Sequence, residues 1–147
     1  MVDRSVFSKL SMPCAFLDWD AFVQNVNDIA TKSNGKKIRI ATKSIRSVQV
    51  LKYILESNDC YEGLMCYNPH EADFLAENGF DNLLIGYPTV DVIGLNKIAL
   101  QIKKGRKIIC MVDETEQISM IEKIAAKNDI VIPLCIDIDM STSYFGF

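Results

Sequence analysis

The chain has 147 residues, 49% of them hydrophobic and 24% charged, with 16 basic side chains against 19 acidic ones and a formal charge of −3. That is enough chain for one globular domain with a real core. The acidic balance argues against a general nucleic-acid-binding surface, and apolar runs that are short and broken by charge argue against a membrane-spanning helix.

Residues Cys14–Leu17 form a short apolar run after Pro13 and are predicted as a strand. Asp18 and Asp20 flank the start of a helix whose apolar face is Phe22, Val26, Ile29 and Ala30, and Asn34-Gly35 ends it. Residues 1–36 are therefore expected to be an N-terminal strand and helix ahead of the units in 37–147. Trp19 and the phenylalanines follow helical or strand spacing and are predicted to be core.

The next strand is predicted over Lys37–Thr42 (K-I-R-I-A-T). Lys43 stands at its C-terminal end, and Ser44 opens a helix carrying Ile45, Val48, Leu51 and Leu55 at helical spacing. A second strand, Glu62–Tyr67, exits through Asn68-Pro69-His70-Glu71. Asparagine suits the N-cap, proline the first helical position, and glutamate the third, from which it can return a hydrogen bond to the cap. That helix runs through Ala72, Leu75 and Ala76 to Gly79. The third strand is Asn82–Gly86, followed by Pro88 and a helix with Ile93, Ala99 and Ile102 inward. Lys107–Val112 is the fourth strand, after which Asp113 and Glu116 repeat the cap pattern before a helix bearing Ile118, Ile121, Ile124 and Ala125. A fifth strand is predicted over Ile130–Asp139, interrupted by Pro133 and Asp137.

Runs such as Leu83-Leu84-Ile85 and Ile108–Val112 are apolar on both faces, as parallel strands are when both faces are packed. The fold class that follows is α/β, with successive βα units of a parallel (β/α)₈ barrel of the TIM type. About five of the eight strands are present. The chain stops at Tyr144–Phe147, directly after a strong strand, so it reads as the N-terminal part of something larger, truncated at its C-terminus.

In such folds chemistry is assembled at the C-terminal ends of the strands. Lys43 is the first candidate. Desolvation there would lower the pKa of its ε-amine and make it a nucleophile toward a carbonyl; the alternative is a lysine that solvates a strand end. Ser44 and Ser47 either cap the following helix or touch a phosphate. Asp137 and Asp139 share strand parity. If their face lines the barrel, Asp139 contacts a cofactor or metal; if not, both are ordinary polar residues. His70, near the mouth, is an acid–base group or a surface residue of the capping turn, and Glu71 and Asp113 are explained by capping. His70 is the one histidine, which argues against a closed zinc site. Five cysteines without a C-x-x-C pair or a secretory signal predict reduced thiols in a cytoplasmic protein.

The segment I-R-I-A-T-K-S-I-R-S (Ile38–Ser47) resembles the cofactor-lysine segment of the fold-type III pyridoxal-phosphate enzymes. The likeness is to the amino-acid aldolases and deaminases related to D-threonine aldolase, which share an N-terminal barrel with alanine racemase. M-P-C-A-F-L-D-W-D-A-F-V-Q-N (Met12–Asn25), C-Y-N-P-H-E-A-D-F-L-A (Cys66–Ala76), L-L-I-G-Y-P (Leu83–Pro88), M-V-D-E-T-E-Q-I (Met111–Ile118) and C-I-D-I-D-M-S (Cys135–Ser141) resemble further pieces of the family in the same order. The resemblance implies pyridoxal 5'-phosphate held as a Schiff base on Lys43, with Ser47 and Asp139 as further cofactor contacts. It also implies a small amino-acid substrate cleaved or deaminated at Cα, a divalent metal in full-length relatives only, and compatibility with a homodimer. The stretch Met140–Gly146 departs from the family by lacking an arginine that helps hold the cofactor. The chain by itself is therefore expected to be inactive. A non-catalytic pyridoxal-phosphate carrier, or a remnant without activity, stands as the alternative.

Overall fold

A computed structural model describes residues 4–11 and 13–141. Met12, and the terminal segment 142–147 on which the truncated reading rests, lie outside the described residues. The chain divides into two compact units, Met1–Asn34 and Gly35–Phe147.

In the first unit a 3₁₀ helix, Arg4–Lys9, precedes helix α1, Trp19–Lys32. The strand predicted at Cys14–Leu17 does not form. A strand needs a ladder partner, and no described segment of this unit offers one. Asp18 caps α1 by accepting the Ala21 N–H at 3.1 Å, and Asn34, at φ 50°, ends it in the left-handed region as predicted. Only Val26 of α1 is buried. Trp19 is 51% exposed, against the expectation of a core residue, and its ring packs at 5.5 Å on Phe22.

The second unit is one parallel sheet. Its strands are β1 (Ile38–Ala41), β2 (Tyr61–Cys66), β3 (Leu83–Ile85), β4 (Ile108–Val112) and β5 (Leu134–Ile136), in the spatial order β1-β2-β3-β4-β5. Helices α2 (Val48–Ser57), α3 (Pro69–Glu77), α4 (Val92–Lys103) and α5 (Thr115–Asn128) connect them. Sequential order without reversal is the barrel pattern; a doubly wound sheet has a switch point where the order turns back. The register puts Leu64, Leu83 and Ile108 at one level and Cys66, Ile85 and Cys110 at the next. All six are at most 1% exposed and pack with Leu51, Leu75, Leu95, Ile98 and Ile121 of the helices. The opposite face (Ala41, Met65, Leu84, Ile109, Met111 and Cys135) is only half-buried, and it is the face that lines the interior in a barrel of this order.

Several boundaries differ from the sequence reading. Strand β5 covers three residues, not ten. Pro133 lacks the N–H a central strand would use, although its carbonyl still accepts the Cys110 N–H at 3.0 Å. Ladder bonding ends as the Asp137 N–H donates to the Val112 carbonyl. Ser44 does not open a helix: Thr42–Ser44 is one 3₁₀ turn, and α2 starts at Val48. In α4 the inward residues are Leu95, Ile98 and Ala99, while Ile93 is 70% exposed. Asp113 does not cap α5. Its N–H donates to Gln117 Oε1 at 3.1 Å, and Gln117 Nε2 donates back to Asp113 Oδ1 at 2.7 Å. The residue at the cap position, Glu114, makes no side-chain cap bond.

A polar latch joins the N-terminal ends of three strands. Asn82 sits at φ 53°, just before β3 rather than within it. Its Oδ1 accepts from Arg39 Nη2 at 2.7 Å, its carbonyl accepts from Arg39 Nη1, and its Nδ2 donates to the Glu62 carbonyl at 2.9 Å. Gly63 is required beside it, because a Cβ there would fall on the Asn82 carbonyl and lie 2.8 Å from Arg39 Nη1.

Candidate functional site

The C-terminal ends of β1, β2 and β3 converge on Lys43. Ala41 pairs with Met65 and Met65 with Leu84, and the Gly86 N–H donates to the Cys66 carbonyl at 2.9 Å. The residues just beyond the strands, Lys43, Tyr67 and Tyr87, thereby become neighbours. The turn holding Lys43 is anchored by Thr42, which is 1% exposed and whose hydroxyl donates to the Met65 carbonyl at 3.1 Å.

Lys43 borders a cleft of about 40 Å³ with Ala41, Met65, Cys66, Tyr67 and Tyr87. The two tyrosine rings meet edge to face, with centroids 5.4 Å apart at 63°. Gly86 lies against Met65, and a Cβ there would come within 2.5 Å of Met65 Cε, so that side chain would have to shift. Lys43 is exposed, so the desolvation expected of it does not occur in this structure. No carboxylate lines the cleft, and Lys43 is in neither of the ion pairs found among the described residues. A cleft of this volume accepts a few water-sized groups. It is a floor beneath an accessible amine, not an enclosure.

The other predicted residues stand elsewhere. Ser47 caps α2, accepting the Val50 N–H at 3.4 Å. It lines a second cleft of about 320 Å³ between α2 and α3, along with Thr42, Arg46, Asn68 and Glu71. Tyr67 borders both clefts. Asp139 is exposed, three residues past β5, and lines neither cleft. Hydrogen bonds from Ser141 hold its carboxyl below the ordinary aspartate value. Asp137 is likewise exposed beyond the strand end.

Asn68 caps α3 as predicted, accepting the Glu71 N–H at 2.9 Å. Glu71, however, takes the N–H of Tyr67 at 2.6 Å, one residue before the cap. His70 Nε2 lies 2.7 Å from Asp91 Oδ2, both side chains partly exposed. Asp91 is the N-cap of α4, and its carboxyl is held below the ordinary value first by the Gly94 N–H and then by His70. His70 thus joins the starts of two helices and lines neither cleft. Burial pushes the thiols of Cys66 and Cys110 up to about 12. No group of three or more metal-ligating side chains occurs among the described residues, and no helix among them is long and apolar enough to cross a membrane.

Tyr67 and Tyr87 are cleft residues that the sequence alone does not single out. Their signal was present, since each follows the last residue or two of an apolar strand as Lys43 does, but an aromatic after a strand reads as core until the register is known.

Residues 17–147 match the family model described as "Alanine racemase, N-terminal domain". The chain is 26% identical over 141 residues to 3-hydroxy-D-aspartate aldolase of Paracoccus denitrificans, covering 95% of this chain and 36% of that protein. Among solved structures, D-threonine aldolase from Filomicrobium marinum superposes with a TM-score of 0.81 at 22% identity, over 89% of this chain and 35% of that one. D-threo-3-hydroxyaspartate dehydratase from Delftia sp. HT23 gives 0.78 at 18% identity, over 87% and 34%. These structural likenesses identify the five parallel strands and their connecting helices as the N-terminal portion of a TIM-barrel-like domain. The chain spans about a third of the length of the relatives it matches.

Proposed function

The chain belongs to the alanine racemase N-terminal domain family, and from that premise we propose that it holds pyridoxal 5'-phosphate on the ε-amine of Lys43, as part of the machinery of a β-hydroxy amino-acid aldolase or deaminase. The observation that carries this reading is the position of Lys43: at the C-terminal end of β1, in the cleft bordered by the ends of β2 and β3, with no carboxylate lining it. Those residues fit the group. An accessible primary amine is what an aldehyde requires, and aromatic neighbours suit a flat ring. When bound, the cofactor supplies the electron sink that lets a bond at Cα of an amino acid break.

The chain's own contribution is positional. Thr42 pins the 3₁₀ turn to β2, so the Lys43 stem leaves the sheet edge at a fixed place. Glu71 pins the backbone of Tyr67 beside it. Ser47 is occupied in capping α2 and Asp139 in bonding Ser141; on this reading both are assigned structural roles before cofactor contact. The names of the relatives, 3-hydroxy-D-aspartate aldolase and D-threonine aldolase, support a small β-hydroxy amino acid as substrate class. Because the chain spans 36% of the aldolase's length, it is assigned cofactor attachment and not turnover by itself.

The test is direct. The protein is mixed with pyridoxal phosphate, reduced with borohydride, digested and mapped by mass spectrometry. Label is expected on Lys43 and is expected to vanish in Lys43→Ala. Label on other lysines in preference to Lys43, or no label, ends the assignment.

A further inference from the structure

We infer that Tyr67 and Tyr87 form a ring-recognition wall beside Lys43, making the site selective for flat aromatic aldehydes over aliphatic ones, with Glu71 as the residue that positions the wall. The inference rests on Lys43 being the reactive amine of the proposed function, and goes beyond it by assigning what selects the group that amine receives.

Three observations converge. The two tyrosines line the same cleft as Lys43, on the exits of β2 and β3. Their rings are engaged edge to face at 5.4 Å and 63°, yet they remain 60% and 47% exposed. Aromatic pairs that only stabilise a core are covered; this one keeps much of its ring surface available at the place where an aldehyde would meet the amine. An exposed aromatic ring favours an offset or edge-on partner ring. Third, each tyrosine is held from behind. The Tyr67 N–H donates to Glu71 Oε2 at 2.6 Å. Tyr87 follows Gly86, whose own N–H is bonded to the Cys66 carbonyl and whose missing Cβ leaves room for Met65. The cleft itself, at about 40 Å³, has no room to enclose a ring. Selection must therefore come from contact along the wall rather than from the shape of a cavity.

The covalent step is a condensation. The neutral Lys43 nitrogen attacks the carbonyl carbon, one water leaves, and borohydride then delivers hydride to the C=N carbon to leave a secondary amine. The experiment compares two probes, pyridine-4-carbaldehyde and propanal, neither of which carries a phosphate. Each is offered to the full chain with borohydride, and the extent of Lys43 labelling is read by peptide mass spectrometry. The ratio between probes is normalised to the same ratio on an exposed lysine such as Lys36, which removes the intrinsic reactivity of each aldehyde.

Wild type should prefer the aromatic probe at Lys43 by about tenfold, the factor equivalent to about 1.4 kcal/mol. Tyr67→Leu/Tyr87→Leu should bring the normalised ratio to near one, whereas Tyr67→Phe/Tyr87→Phe should keep the preference because the rings remain. Glu71→Gln should reduce it only partly, since the amide oxygen still accepts the Tyr67 N–H, and Glu71→Ala more fully. Both tyrosines are substantially exposed, so folding of the variants is expected to survive and is checked by circular dichroism. A preference retained by the double leucine variant, or lost by the double phenylalanine variant, overturns the wall. Failure of both probes to label Lys43 at all overturns the proposed function instead, and the two failures are told apart by that readout.

Discussion

The Arg39–Asn82 latch makes a quantitative claim about what holds the first three strands in register. Asn82→Ala removes the charge-assisted bond from Arg39 to Oδ1, worth about 1.5 kcal/mol at the low end that suits its partial exposure. It also removes the bond from Nδ2 to the Glu62 carbonyl, worth about 0.5–1 kcal/mol. Finally it forces a Cβ-bearing residue without a compensating polar side chain to stay at φ 53°, which costs roughly 1 kcal/mol. The expected loss is about 3 kcal/mol, a large fraction of a typical stability. Asn82→Gly loses the same side-chain bonds and is at ease at positive φ, but glycine's extra entropy in the unfolded chain, about 0.5–1 kcal/mol, takes the place of the backbone cost, so its loss should also be about 3 kcal/mol. Urea unfolding followed by circular dichroism measures both from the shift in midpoint at constant slope. The latch lies at the opposite ends of the strands from Lys43, so borohydride labelling of Lys43 by pyridoxal phosphate should be unchanged in either variant where it is folded. A loss below about 1 kcal/mol for either variant would refute the combined hydrogen-bond and backbone account.

Burial of Cys66 and Cys110 favours their neutral thiols in the folded chain, so both should resist iodoacetamide at pH 8 until denaturant is added. With folded values near 12 against the ordinary thiol value of 9.0, the unfolded chain gives up those protons first; stability is fully present below about pH 9 and falls as pH rises toward 12, by at most roughly 4 kcal/mol per thiol. Alkaline unfolding curves that show no such slope would contradict the burial. Asn68→Ala should cost about 1 kcal/mol as the loss of a well-formed cap, whereas Ser47→Ala, whose cap bond is 3.4 Å long, should cost only a few tenths; an inverted order in urea melts would mean that Ser47 does something other than cap.

The βα alternation was legible because parallel strands covered by helices need near-continuous apolar runs, and Leu83–Ile85 and Ile108–Val112 carry them in full. Helix starts were legible where the cap chemistry is local: Asp18 and Asn68 bond residues three positions on, within reach of any sequence window. Asp113 shows the limit of that logic, because Gln117, one turn away, reaches both its N–H and its carboxylate and displaces the expected cap. Strand ends were not legible, since they depend on the neighbour's ladder: Pro133 and the exit of Asp137 shorten β5 by geometry that only the β4 pairing sets. Nor were the long-range polar contacts. Arg39 and Asn82 are 43 residues apart, and His70 meets Asp91 only because α3 and α4 start side by side. Lys43 is singled out in the sequence by its position after a strand; Tyr67 and Tyr87, which line the same cleft, carry the same positional signal, but an aromatic there has two ordinary uses and a lysine has fewer.

On the proposed function, stability and chemistry are separated along the strands. At one end, Arg39, Asn82, Glu62 and Gly63 form a closed polar set in which even the glycine is dictated by backbone proximity, and substitution there acts on folding. At the other end, Lys43, Tyr67 and Tyr87 are exposed side chains hung on pinned backbone. Thr42 and Glu71 do the pinning through bonds to and from β2 and its exit. A side chain that must meet a substrate cannot be held by burial, because burial would exclude the substrate. Fixing the backbone and leaving the side chain free is the arrangement left, and it places the cost of order on residues that never touch the reacting atoms.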